Sequence, residues 1–222
     1  MRSISNSVSI RGKGDLRAPG IIQHAIEKGY CSDDNNFDFA KIFSDSYIPD
    51  EFPPTSRAGK SLLLLKKNIG KITPELMMEF LREHETGICM HGGFESTGSQ
   101  VSHLRQEAKK AIHWFTGSTL PCLSTYKPYT FSIEGQKYLN PGPYSKIESS
   151  WFWTKHSIFL REYLRKKGIE DYIKRIKNLE NELKLEVNDL LIQEGKISDA
   201  QFINRIKDIN LKAWNKSLEI IN

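Results

Sequence analysis

The residues with the clearest capacity for chemistry are Cys89 and His91, two apart, followed by His103, His113 and Cys122. A thiol beside an imidazole can act as nucleophile and base. A free cysteine in an apolar stretch is more often a small buried hydrophobe, and Cys89 is read that way here. His91, His103 and His113 raise the question of a metal. Their spacings of 12 and 10 residues cross loops, with no carboxylates at regular positions beside them. They are read as hydrogen-bonded strand residues, and neither a metal nor a cofactor is expected. The hydroxyl-rich run Ser96, Thr97, Gly98, Ser99 could orient a substrate amide or satisfy strand ends. Ser96 and Thr97 are the candidate substrate-binding residues. Gly12–Leu16 (GKGDL) lacks the strand and helix context of a phosphate loop.

The stretch Ile88–Phe131 must position most of these groups. Val101 and His103 alternate with Ser102 and Leu104, which predicts a half-buried strand. The charged turn RQEAKK is expected in water. A second alternating run, Ala111–Thr116, makes an antiparallel hairpin the simplest reading. Gly117 and Pro121 end that pattern, and Cys122–Tyr126 with Tyr129–Phe131 read as a third extended piece.

Ahead of the hairpin, Ser3–Ile10 reads as a strand and Ile21–Lys28 as a helix stopped by Gly29. Asp33–Asn36 is a turn able to cap a brief helix over Phe37–Phe43. A helix is expected over Arg57–Lys67, largely buried because Leu62–Leu65 cover all its sides. Thr73 and Pro74 start another, running to about His84 and burying Leu76, Met77, Phe80 and Leu81. Past Phe131, residues 132–146 read as a loop and Ser149 or Ser150 as a helix cap. Tyr172, Ile176, Leu179, Leu183, Val187 and Leu190 recur at helical spacing, and Phe202, Ile206, Ile209 and Ala213 repeat it after Gly195. The tail is therefore expected to be a helical hairpin, with Trp151 and Trp153 anchoring it. The expected division is 1–148 and 149–222.

Composition narrows the function classes. With 222 residues, 38% hydrophobic, the chain suits one sizeable domain plus a helical appendage. The net charge of +5 is spread among acidic residues, with no basic stripe, so no nucleic-acid partner is expected. No apolar run approaches the roughly 18 residues of a membrane span, and no membrane partner is expected. Three cysteines without a CxxC pair suggest reduced thiols and a cytoplasmic setting.

The order CMHGG…STGSQVSHL, a charged loop, then HWFTGSTLPCLSTYKPY resembles the secernin-type dipeptidase family. ISNSVSI, FDFAKIFSD, GKITPELMMEFLREHETGICM and SSWFWTKHSIFLREYL resemble it in the same order, so the likeness covers Ile4 to about Leu164. The resemblance implies part of the αββα sandwich of N-terminal-nucleophile hydrolases, and together with the hairpin core and the C-terminal helical hairpin read from spacing the expected fold class is α+β. It implies cysteine-type hydrolysis of a dipeptide or small amide through an acyl-enzyme. The family's nucleophile is a cysteine at a processed N-terminus, whereas this sequence begins Met1-Arg2. The expectation is a C-terminal half, completed by a complementing chain or by oligomerisation. Asn6 matches the oxyanion donor of the related cholylglycine-hydrolase branch; Arg57 matches an arginine close to the nucleophile in that branch, which could lower the thiol pKa or hold a substrate carboxylate. Their plain alternatives are a turn residue and a solvated helix-start charge. Cys122 falls in a stretch that looks structural in the family. A rival reading is a non-catalytic binding module, or an inactive remnant, acting through its helical tail.

Overall fold

The computed structural model describes residues 1–6, 8–106, 110–131, 149–163 and 169–222. These fall into two compact units, Met1–Ile72 with Glu85–Ile88 and Thr73–His84 with Cys89–Asn222. The fold is α+β, with seven α-helices and one three-stranded antiparallel sheet among the described residues. None of these helices is long and apolar enough to cross a membrane. The loop expected over 132–146 and the boundary expected at 148 lie outside the described residues.

In the first unit, helix α1 (Ile21–Glu27) is closed by Lys28, and Gly29 at φ 70° donates its N–H back to the Ile26 carbonyl. Asp33 caps a 3-10 turn at Asp34–Asn36, and Asp38 caps α2 (Phe39–Phe43). The expected turn and the expected helix both form, but the helix starts two residues late, at Phe39, because Asp38 and not the turn accepts its first amide. The strand expected over Ser3–Ile10 does not form among the described residues. Near its end the carbonyls of Ile10 and Gly12 accept the N–H groups of Ala40 and Phe39, so the arm caps α2 and joins no ladder.

Helix α3 (Arg57–Lys67) forms over the expected span, capped by Ser56, but its leucines Leu62–Leu65 are only half-buried. The covered positions are Ala58 and Gly59, since the closest neighbour is backbone. A Cβ on Gly59 would stand 2.1 Å from the Pro53 carbonyl oxygen. Close approach of a loop, not an apolar layer, seats this helix.

The second unit opens with α4 (Pro74–Phe80), capped by Thr73. It ends short of His84; Met78 and Phe80 are its buried residues, and Met77 and Leu81 pack partly buried against the core. Strands β1 (Gln100–His103), β2 (Ile112–Phe115) and β3 (Lys127–Tyr129) follow, paired in that order. Val101 lies opposite Trp114, and Trp114 opposite Pro128. One face therefore presents Val101, Ile112 and Trp114, all buried against Met78, Leu183 and Phe202. The other face is open toward β1, with Gln100 and Ser102 exposed and His113 and Phe115 half-buried.

Helices α5 (Phe152–Tyr163), α6 (Ile169–Ile192) and α7 (Asp199–Ile221) complete this unit. Glu182 pairs with Lys216, Glu186 with Lys212 and Gln193 with Arg205, a falling and rising register that makes α6 and α7 an antiparallel hairpin. Ser198 and Gln201 form a capping box at the start of α7. The apolar stripe read from the sequence is the buried one, from Tyr172 to Leu190 and from Phe202 to Ala213.

The charged turn is not free in water at its ends. Arg105 and the Lys110 amide both bind the Glu194 carboxylate, and the Lys110 ammonium lies 2.8 Å from Asp199. Residues 107–109, between them, lie outside the described residues. The connection between α6 and α7 thereby holds both arms of the hairpin loop.

Gly117 sits at φ 59°, and a Cβ there would come within 2.7 Å of the Trp214 ring. Gly117→Ala combines left-handed backbone strain with displacement of a packed indole, so a loss of about 2–4 kcal/mol is expected in urea unfolding. A loss below about 0.5 kcal/mol would mean the ring moves aside freely.

Candidate functional site

The residues suggested by sequence are distributed between the two units. Asn6 is exposed, and its Oδ1 accepts the Ser5 hydroxyl at 2.9 Å. Arg57 is the first residue of α3. Ser96 and Thr97 lie in the second unit, ahead of β1. The Ser96 hydroxyl accepts the Met90 N–H at 2.9 Å and its carbonyl accepts the Leu120 N–H at 2.7 Å, so Ser96 is engaged in holding backbone. Thr97 is exposed. Trp151 and Trp153 are half-buried, and the ring packed edge-on against Trp214, at 5.1 Å, is that of Phe152.

Of the three histidines considered together, His113 bonds the Ser102 hydroxyl across the hairpin at 2.9 Å. His103 ends β1. Only His91 joins a constellation of reactive groups. His84, Cys89, His91 and Cys122 each offer one donor atom, and all four atoms lie within 4.8 Å of one another. His91 Nε2 stands 3.6 Å from Cys89 Sγ and 3.3 Å from Cys122 Sγ. The rings of His84 and His91 meet edge-on, 5.0 Å apart. His84 escaped the sequence reading because it looked like the end of a helix. The signal was present as His-x4-Cys-x-His, but Cys122 is 31 residues beyond His91, and only folding joins them.

Local structure explains the convergence. Because α4 stops at Phe80, the chain turns back, and the Cys89 N–H reaches the Glu83 carbonyl at 2.8 Å. Cys122 is carried on a 3-10 turn, Pro121–Leu123, entered through Leu120 at φ 54°. Arg82 braces this turn, donating to the carbonyls of Pro121 (3.0 Å) and Ser124 (3.1 Å). Its guanidinium forms a two-pronged pair with Glu180 of α6, at 3.0 and 2.6 Å. The turn is thus fixed by a helix distant in sequence.

The Cys122 thiol, bonded to Cys89, pulls the Cys89 pKa well below that of an ordinary thiol, and His91 and His84 act in the same direction against burial. Cys122 is correspondingly pushed up by Cys89 and by burial. Cys89 is nonetheless only 2% exposed, which denies a peptide carbonyl access to its sulfur. All three cysteines are free thiols.

A second constellation has the outline of a nucleophile and its base. Ser118 Oγ is bonded to His156 Nδ1, and His156 Nε2 lies 2.7 Å from the Tyr172 hydroxyl, which donates to the Leu123 carbonyl. Ser118 and His156 are 0% and 1% exposed. Burial, then the charge of Lys127, lowers His156 to about 4, so the ring is neutral and serves as an internal tie between α5, α6 and the turn after β2. No protein-family model matches the sequence, and no solved structure matches the fold.

Proposed function

We propose that this chain supplies supporting residues of a secernin-like cysteine dipeptidase, an activity that uses a nucleophilic cysteine at a processed N-terminus. The observation that carries this reading is the ordered series of family-like motifs from Ile4 to about Leu164, the densest of which, Ile88–Phe131, supplies all three strands of the sheet. The sheet's half-open face, bearing His113 and Phe115, is of the kind that meets a second sheet in a layered sandwich. In this reading an N-terminal thiolate attacks the dipeptide carbonyl, and its own α-amine is the base. Asn6 donates to the developing oxyanion, and Arg57 stabilises the thiolate or holds a substrate carboxylate.

Hydrolysis of a dipeptide panel tests this. The chain is assayed alone and mixed with the upstream half of a secernin-type dipeptidase bearing a free N-terminal cysteine. Turnover is expected only in the mixture, lost when that cysteine becomes alanine. Asn6→Ala should lower kcat about 100- to 1000-fold, the cost of one oxyanion donor. Turnover by the chain alone would move the nucleophile to Cys89 and overturn the reading. No turnover from two folded components would leave a binding module acting through α6 and α7.

A further inference from the structure

We propose that His84, Cys89, His91 and Cys122 bind one zinc ion as a structural site that clips the segment following α4 to the turn preceding β3. The inference is independent of the hydrolase reading, since it uses none of its residues.

The donor set comes first. Two thiolates and two imidazoles form one of the standard closed combinations for zinc, and their softness disfavours calcium and magnesium. Binding releases the protons of the two thiols, and two thiolates then balance the ion's double charge. No carboxylate is needed.

Geometry agrees. Zinc–sulfur bonds of about 2.3 Å and zinc–nitrogen bonds of about 2.0–2.1 Å place sulfur and nitrogen about 3.5 Å apart along a tetrahedral edge. The His91 Nε2 distances to Cys89 and Cys122 sulfurs, 3.6 and 3.3 Å, bracket that value. The full set spans no more than 4.8 Å, so closure on an ion needs only small side-chain adjustments.

The surroundings are those of a built site. Cys89 is held from behind by its amide bond to Glu83, Met90 by the Ser96 hydroxyl, and the Cys122 turn by Arg82. Such supporting bonds fix ligand direction in metal centres. Cys89 forms the buried floor while His84 and His91 are exposed, so an ion can enter from solvent. Four protein donors leave no open coordination position, which makes the role structural rather than catalytic. A clip between segments 31 residues apart also removes loop entropy from the unfolded chain.

The test uses the full chain, reduced and metal-free, titrated with Co2+ and then Zn2+. One equivalent of Co2+ should produce visible bands of tetrahedral intensity together with a near-ultraviolet thiolate-to-cobalt band, and one equivalent of Zn2+ should erase both. Zinc should raise the Tm by several degrees. Cys89→Ser and Cys122→Ser should each weaken cobalt binding by at least 100-fold, and His84→Ala by about 10- to 100-fold; Cys31→Ser should change nothing. The thiolate band on the unaltered chain needs no variant to fold, and its absence at saturating Co2+ would overturn the proposal. So would full binding by a folded Cys89→Ser/Cys122→Ser chain.

Discussion

Glu180→Ala is expected to destabilise the second unit by about 3–5 kcal/mol, the usual cost of removing one partner from a buried ion pair. Glu180 is 3% exposed, and its carboxylate accepts both prongs of Arg82 and the Tyr126 N–H at 3.0 Å. The substitution leaves a desolvated guanidinium beside the Tyr126 ring and orphans an amide at the entry to β3. It also frees Arg82 from the helix that steadies it, loosening the turn that bears Cys122. Urea unfolding measures the loss. Glu180→Gln, which keeps one acceptor oxygen, should lose less. A cost under about 1 kcal/mol for Glu180→Ala would put the pair in the class of solvated surface bridges and remove it as the brace of this unit.

The second large effect is a dependence on pH. Lys127 is completely buried, its ammonium donating to the carbonyls of Thr116 (2.9 Å) and Thr125 (3.0 Å), with the rings of Phe152 and Trp214 at 4.8 and 4.5 Å. Burial lowers its pKa from 10.5 to about 7, against the opposing charge of Glu180. His156, which also feels the charge of Lys127, stays neutral above about 4. Between pH 7 and 10.5 the unfolded chain therefore holds a proton that the folded chain has released. Stability must rise with pH across this window, by about 1.4 kcal/mol per pH unit where the difference is a whole proton. From pH 7.5 to 9.5 the gain should be about 2–3 kcal/mol, before the tyrosines titrate. Lys127→Met should remove this slope while leaving other contributions in place. Parallel profiles for the two proteins would show that the carbonyls and rings keep the ammonium charged in the fold.

Much of the second unit was legible because its elements satisfy themselves locally. Period-two alternation marked Val101 with His103 and the run Ala111–Thr116 as half-buried strands, and the structure pairs them with Val101, Ile112 and Trp114 buried. Helical spacing identified the stripes of α6 and α7, and Thr73 and Ser198 mark real starts. The misreadings have a common cause. Leu62–Leu65 and Ser3–Ile10 were judged by their own apolarity, but burial and strand pairing require a neighbour. The neighbours available were a loop carbonyl at Gly59 and two amides of α2. Lys110, read as a solvated charge, is instead committed to Glu194 and Asp199.

The sequence by itself determined an α+β chain, its sheet-forming stretch, its paired C-terminal helices and the motif order on which the hydrolase reading rests. Those features depend on residue spacing along one segment, which the backbone geometry of strand and helix converts directly into faces. Only the tertiary structure decided that Cys122 joins His84, Cys89 and His91, that Arg82 reaches Glu180, and that Lys127 loses its water. Each depends on distance between segments far apart in the chain, and a hydrogen bond, ion pair or coordination bond acts over only a few ångströms.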